Sequence, residues 1–168
     1  MIDPLHGSSW SAPGTVAGFA QSAPNATLMR FATVERERGA ERALDLGCGA
    51  GRNAVPLASL GLNVVGLDLS GPMLDAAAGR ARAECAAGRV DLVMAPMEHL
   101  PLQSNSVDLV VAHGIWNLAR STAQFRTAVR EAARVAKPGA GLFVFTFSRN
   151  TLPAGVQPLP GESFVFTE

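Results

Sequence analysis

The sequence has little charge and no excess of either sign, which excludes several kinds of partner. Only 17 % of the 168 residues are charged, and 14 basic side chains balance 14 acidic ones. A chain without net positive charge creates no field that would collect nucleic acid or an anionic membrane. We therefore expect neither as a partner.

Cysteine is scarce, and long apolar runs are absent. Cys48 and Cys85 are too few for a disulfide framework or a zinc site, so we expect reduced thiols and no metal. No apolar run approaches the roughly 18 residues of a membrane-spanning helix. The first ten residues lack the basic and apolar regions of a secretory signal. These features predict a soluble, cytoplasmic protein.

Short apolar segments alternate with helical patterns along the chain. This alternation is typical of a doubly wound, Rossmann-like three-layer α/β sandwich with a mostly parallel sheet, and a length of 168 residues suits one domain. The predicted strands are 43–46, 63–67, 90–94, 107–112 and 142–147, the last expected to be buried, and the predicted helices are 26–38, 54–60, 72–87 and 121–135.

A glycine-rich turn between the first two strands is the central motif. Gly47, Gly49 and Gly51 alternate with other residues, which permits positive φ and lets a ligand approach the main chain. Asp68 follows the second strand about 20 residues later, where an acid can hold ribose hydroxyls. The pattern indicates a cradle for a nucleotide-type cofactor.

The glycine spacing alone leaves the nucleotide open. A dinucleotide site needs a small third residue in Gly-x-Gly-x-x-Gly/Ala. Counted from Gly47 this residue is Arg52, which is unsuitable, whereas counted from Gly49 it is Ala54, which is acceptable. A nicotinamide-dependent oxidoreductase is therefore an alternative, although the chain has no tyrosine to act as its acid or base.

Further motifs resolve this choice through a family resemblance. Asp45-x-Gly47-x-Gly49-x-Gly51, Asp68, Leu100-Pro101 and Lys137-Pro138-Gly139 together resemble the class I S-adenosylmethionine (SAM)-dependent methyltransferases over about residues 40–148. Within that family, Gly51-Arg52-Asn53 is most similar to the small-molecule and tellurite-resistance types. The resemblance implies SAM as cofactor, S-adenosylhomocysteine as product and a small-molecule acceptor.

The resemblance also implies a set of cofactor-binding residues. The main chain at 47–49 would hold the methionine part, with Asp45 near its ammonium group, and Asp68 would accept both ribose hydroxyls. Glu98 would lie beside the amino edge of the adenine. Many relatives have an acid after the third strand to bind this amino group, whereas this chain has Ala95-Pro96 there. The full predicted set is Asp45, Gly47, Cys48, Gly49, Asn53, Asp68, Leu69, Met73, Pro96, Met97, Glu98 and His113.

His113, just beyond the fourth strand, is the one candidate catalytic residue. An unperturbed histidine titrates near neutral pH and suits a general base, which only a hydroxyl or protonated amine acceptor would require. A loop histidine bonded to backbone is an equally consistent interpretation.

Three parts of the chain are expected: an N-terminal helical cap (1–40), a SAM-binding core (41–148) and a proline-rich tail with a strand-like end (149–168). In the cap, Trp10, Val16 and Phe19 either cover the site or plug the sheet. The strand pair that usually ends this fold is not recognisable. This leaves four alternatives. The chain is truncated, its tail folds back along the sheet, two chains form a homodimer through the exposed sheet edge, or the domain is a non-catalytic module that binds SAM.

Overall fold

The computed structural model describes residues 4–151 and 154–162, and its centre is a five-stranded sheet in which every pairing is parallel. The strands are β1 (Arg42–Leu46), β2 (Asn63–Asp68), β3 (Val90–Met94), β4 (Val107–His113) and β5 (Ala136–Phe145), in the order β3-β2-β1-β4-β5. The predicted Rossmann-like fold is thereby confirmed. The strand-like segment predicted at 163–167 lies outside the described residues.

Helices cover both faces of the sheet and divide the core into two layers. They are α1 (Pro13–Gln21), α2 (Ala26–Glu37), α3 (Ala54–Ser59), α4 (Gly71–Ala83) and α5 (Thr122–Val135). Alternate residues of β1 point to opposite faces. Ala43 packs in the layer under α2 and α3, and Leu44 packs in the layer under α5.

Side-chain caps fix where three of the helices begin. Asn25 Oδ1 accepts hydrogen bonds from the backbone N–H groups of Thr27 and Leu28, which is the predicted N-cap of α2. Ser70 Oγ accepts from Met73 N–H and caps α4. Ser121 Oγ accepts from Gln124 N–H and caps α5. These contacts satisfy amide groups that have no partner within the helix.

The sequence interpretation was wrong at the end of α4. This helix stops at Ala83 instead of continuing to residue 87. Cys85, predicted to face the core from that helix, is exposed and has a left-handed backbone with φ of 56°. A left-handed residue cannot continue an α-helix, so it reverses the chain.

Strand β5 also differs from its predicted form. It begins at Ala136 and so includes the Lys137-Pro138-Gly139 segment that was expected to precede it. Because β5 is an edge strand, Leu142, Val144 and Phe145 are 42–55 % exposed instead of buried. The expectation of an exposed apolar sheet edge is confirmed.

Two charged residues of α5 hold the loop that follows β3. Glu131 accepts a hydrogen bond from the backbone N–H of Leu100, and Arg134 donates to the carbonyl groups of Leu100 and Leu102. The two side chains also pair with each other, with Nε and Oε1 2.6 Å apart. This clamp positions the loop that contains residues 96–98.

Within the described part of the chain, no helix has the length and apolarity needed to cross a bilayer.

We expect Glu131→Gln to lower the free energy of unfolding by about 1–2 kcal/mol at pH 7, because charge-assisted hydrogen bonds are lost. Arg134 lowers the pKa of Glu131 from 4.5 to about 2. The stabilisation is therefore present above pH 4.5 and is lost as the pH falls towards 2, so the difference between variant and wild type should shrink there.

Urea unfolding at pH 7 and pH 3 measures this difference. The control is Glu84→Gln, which removes the surface ion pair with Arg80 and should change stability by less than about 0.5 kcal/mol. An equal loss for the two variants at pH 7, or a Glu131→Gln effect that does not depend on pH, would contradict the clamp.

Candidate functional site

The carboxyl ends of all five strands meet at one edge of the sheet because every strand runs in the same direction. Ligands bind at this edge in open α/β sheets. The glycine turn follows β1 there, and Gly47, Gly49 and Gly51 have φ values of 65°, 53° and 78°. A Cβ atom at position 47 would lie 2.7 Å from Cδ1 of Ile115. The turn therefore needs glycine for both conformation and space.

Asp68 connects the end of β2 to the glycine turn and to α4. One carboxylate oxygen, Oδ2, accepts from the backbone N–H of Gly49 at 2.8 Å, and Oδ1 accepts from the backbone N–H of Ser70 at 2.9 Å. These two contacts fix the orientation of the carboxylate at the edge where ligands bind in such sheets.

Asp45 is a buried carboxyl group beneath the turn. It is 1 % exposed, and its Oδ2 atom has no hydrogen-bond partner among the residues that the structure describes. Burial, with a further contribution from the charge of Asp68, raises the pKa of Asp45 from 3.8 to about 7, against the lowering effect of the Ala54 N–H. A cation beside this oxygen would favour the ionised form.

Cys48 and Met73 pack into the core at the base of the turn. Cys48 donates its backbone N–H to the carbonyl of Leu67 at 2.8 Å, and a Cβ atom on Gly66 would lie 3.0 Å from its sulfur. Burial raises the pKa of the Cys48 thiol well above its usual value, so the thiol is neutral. Met73 is 2 % exposed, with its sulfur near Gly49.

Asn53 and His113, both predicted site residues, are joined through Asn25. The Oδ1 atom of Asn53 accepts from the backbone N–H of Asn25 at 3.1 Å. The Nδ2 atom of Asn25 lies 3.1 Å from Nε2 of His113. Burial, and secondly the charge of Arg52, lowers the pKa of His113 below its ordinary value of 6.5.

The remaining predicted residues follow β2 and β3 at the same edge. Leu69, Pro96, Met97 and Glu98 are all half-buried. Glu98 Oε1 accepts a hydrogen bond from Nε2 of Gln124 on α5 at 2.9 Å. Helix α5 therefore already holds Glu98, the acid predicted to lie beside the amino edge of the adenine.

Two apolar side chains at the glycine turn were not among the predicted site residues. Ile115 packs against Gly47, and Cδ1 of Phe19 lies 3.6 Å from where a Cβ atom on Gly49 would be. The N-terminal segment was expected either to cover the site or to plug the sheet. The position of Phe19 favours the first alternative. Asn25 was recognised only as a helix cap, since a capping pattern carries no information about a histidine 88 residues away.

This set of groups fits SAM. Glycines with positive φ would permit close approach of the methionine part, and the carboxylate of Asp68 would face the ribose hydroxyls. The unpaired Oδ2 atom of Asp45 is buried, and such an atom is stabilised by a cationic partner such as the ligand's ammonium group. Among the described residues, no three His, Cys, Asp or Glu side chains form a metal-binding group.

Comparison with known proteins identifies a family and several relatives that this chain resembles. Residues 44–145 match the family described as Methyltransferase domain. The chain is 40 % identical, over 118 residues, to a ubiquinone/menaquinone biosynthesis C-methyltransferase of Syntrophotalea carbinolica, covering 68 % of this chain and 47 % of the relative. It is 35 % identical, over 150 residues, to a demethylmenaquinone methyltransferase of Corynebacterium efficiens, covering 88 % and 58 %.

Solved structures agree on the fold. The CcbJ methyltransferase from Streptomyces caelestis superposes with a TM-score of 0.61 at 28 % identity, covering 70 % of this chain and 51 % of that one. The chain spans about half the length of the curated relatives that it matches. The small-molecule tellurite-resistance subtype stays a prediction.

We expect Asp45→Asn to stabilise the ligand-free protein at pH 8 by about 1–3 kcal/mol. The raised pKa of Asp45 means that the folded state retains a proton which the unfolded chain loses from pH 3.8 upwards. Stability is consequently lost as the pH rises from 3.8 to about 7, and asparagine avoids this loss. Urea unfolding at pH 4 and pH 8 measures the effect.

The exposed Asp75 on α4 provides the control, because Asp75→Asn should change stability by no more than about 0.5 kcal/mol. Destabilisation by Asp45→Asn at pH 8, or a gain of the same size at both pH values, would show that Asp45 carries no buried-charge penalty.

Proposed function

The chain belongs to the methyltransferase domain family, and on this basis we propose that it binds SAM and transfers the methyl group to a small-molecule acceptor. The observation that carries the proposal is the left-handed glycine turn bound to Asp68 through the N–H of Gly49. Family membership makes SAM, not a nicotinamide dinucleotide, the cofactor of this fold.

The methionine and ribose parts would be held by the turn and the two acids. The main chain of Gly47, Cys48 and Gly49 would contact the methionine part, and Asp45 would face its ammonium group directly or through water. Asp68 would accept the ribose hydroxyls. The preformed contacts of Asp68 with two backbone amides support this role, because little reorganisation is needed on binding.

The adenine would lie among the side chains after β2 and β3. We assign Leu69 and Met97 to apolar contact with the ring, and the segment at Pro96 with Glu98 to its amino edge. The buried Met73 would support the turn beneath Gly49. Glu98 is held by Gln124, so it would accept from the adenine amino group with lone pairs that remain. The Asn53 side chain would support the turn from the start of α3.

Bound SAM supplies a methyl group on a positively charged sulfur, which is already activated for transfer. The main contribution of the protein is then to hold the acceptor in line and to exclude water. Phe19 and Ile115 lie against the glycine turn and are suited to excluding water. Catalysis by His113 would require a free ring nitrogen. An electron-rich ring carbon can attack the methyl group without prior activation, and the proton that this carbon loses when the ring becomes aromatic again would pass to water.

We propose a quinone-type ring carbon as the acceptor. One relative is named a ubiquinone/menaquinone biosynthesis C-methyltransferase and another a demethylmenaquinone methyltransferase. The apolar side chains at the end of β5, Phe145 and Phe147, are 42 % and 65 % exposed and offer contact area for a flat apolar ring. The test is methyl transfer from labelled SAM to a short-chain demethylmenaquinol. Binding of SAM without transfer would favour the non-catalytic module.

The predicted division into a cap (1–40), a core (41–148) and a tail (149–168) is part of this proposal. Phe19 of the cap reaches the glycine turn, which supports covering of the site by the cap. We also propose a cytoplasmic location, since Cys48 and Cys85 are free thiols and thiols stay reduced in that compartment. Nucleic acid is not expected as a partner, because positive and negative residues balance.

The prediction for the cofactor site is that Asp68→Ala weakens SAM binding at least tenfold, or about 1.4 kcal/mol, by removing the ribose acceptor. Asp108→Ala is a matched control. Asp108 accepts from the backbone N–H groups of Glu41 and Arg42, but it lies at the opposite edge of the sheet. Calorimetry should give wild-type affinity for the control. Equal affinities in both variants would refute the assignment of Asp68.

We further propose that the β5 edge pairs with β5 of a second copy of this chain. Residues 141–147 contain no charge or proline, the features that usually protect an edge strand. Light scattering after size-exclusion chromatography should give a dimer for the wild type and a monomer for Val144→Lys. A monomeric wild type at about 100 μM, far above the dissociation constant of a stable dimer, would contradict the proposal.

A further inference from the structure

Asn25 lies where three elements meet beside the site. Its side chain caps α2, its backbone N–H donates to Oδ1 of Asn53, and its Nδ2 atom faces Nε2 of His113 at the end of β4. The chain that carries it is fixed as well, because Arg52 donates to the carbonyl of Ala23 at 2.6 Å. Asn25 is thus held in one place by main-chain contacts.

The cap determines which way the Asn25 amide points. Oδ1 accepts from the N–H groups of Thr27 and Leu28, at 2.9 and 3.1 Å. A reversed amide would set its NH2 group against these two donors. Nδ2 must therefore face His113, and an amide nitrogen only donates. Nε2 of His113 is consequently the acceptor and carries no proton.

The proton of the His113 ring follows from this contact. A neutral imidazole carries one proton, so the proton lies on Nδ1 when Nε2 accepts from Asn25. The ring also stacks on Phe145 of β5, with centroids 4.5 Å apart and planes 9° apart. Asn25 and Phe145 therefore hold the ring from its Nε2 side and from one face.

We propose that Asn25 is a positioning residue that holds His113 as a neutral imidazole with its proton on Nδ1. This inference rests on the proposed function for its relevance to methyl transfer, but not for its geometry. His113 then anchors the N-terminal segment to the end of β4 and does not act as a general base. The proton that an acceptor loses on methylation would then pass to water and not to His113.

The groups around the ring define how it should titrate. Asn25 is uncharged, Phe145 is apolar, and Arg52 is the charged side chain that acts on the ring. Protonation at Nε2 would place two N–H groups against each other. The pKa of His113 should therefore lie below 6.5 as long as Asn25 keeps its orientation.

The test is NMR of the ligand-free full chain, in which 15N shifts of the imidazole ring report the tautomer and the pKa. In wild type, Nε2 of His113 should show the shift of an unprotonated nitrogen. Asn25→Asp keeps an acceptor for the α2 cap but replaces the NH2 group with an oxygen. It should move the proton to Nε2 and raise the pKa by about one unit or more.

Asn53→Asp is the matched control, because it adds the same charge beside Asn25 without contacting His113. It should leave the proton on Nδ1. A protonated Nε2 in wild type, or an unchanged tautomer in a folded Asn25→Asp variant, would overturn the proposal. Because no cofactor is added, failure of SAM binding leaves this result intact, and the two proposals fail separately. Asn25→Ser, which caps α2 but is too short to reach the ring, should release the tautomer preference if Asn25→Asp does not fold.

Discussion

The carboxylate of Asp68 is the contact on which the site depends. It receives the N–H of Gly49 from the glycine turn and the N–H of Ser70 from the start of α4. One side chain thus fixes the ligand-facing turn, the end of β2 and the N-terminus of the next helix relative to one another. Because these contacts exist before any ligand binds, binding needs little ordering of the main chain.

This arrangement has a cost in stability that lies in Asp45. A carboxyl group that is buried, close to a second acid and missing one hydrogen bond destabilises the ligand-free fold when it ionises. A ligand with a positive group removes that penalty. The same feature that weakens the empty protein therefore strengthens its binding of a cation, which is a common compromise at functional sites.

Local patterns made most of the fold predictable. The period of apolar residues placed the five strands, and Asn25, Ser70 and Ser121 marked helix starts that the structure retains. The errors came from tertiary context. Cys85 adopts a left-handed conformation that its residue type does not favour, and exposure of β5 follows from its place in the sheet. The contact between Asn25 and His113 spans 88 residues, beyond the reach of any local pattern. The positions of Gly47 and Asp68 were predictable because the turn itself requires glycine and because parallel strands end at one edge.

The decisive measurement is calorimetric titration of the wild-type chain with SAM, S-adenosylhomocysteine and NAD. We expect SAM and its demethylated product to bind at micromolar concentration and NAD not to bind, since Asp45 and Asp68 favour a ligand with an ammonium group and one free ribose. Binding of NAD in place of SAM would contradict the assignment of the glycine turn as part of a SAM site. A failure of all three ligands to bind would contradict it as well.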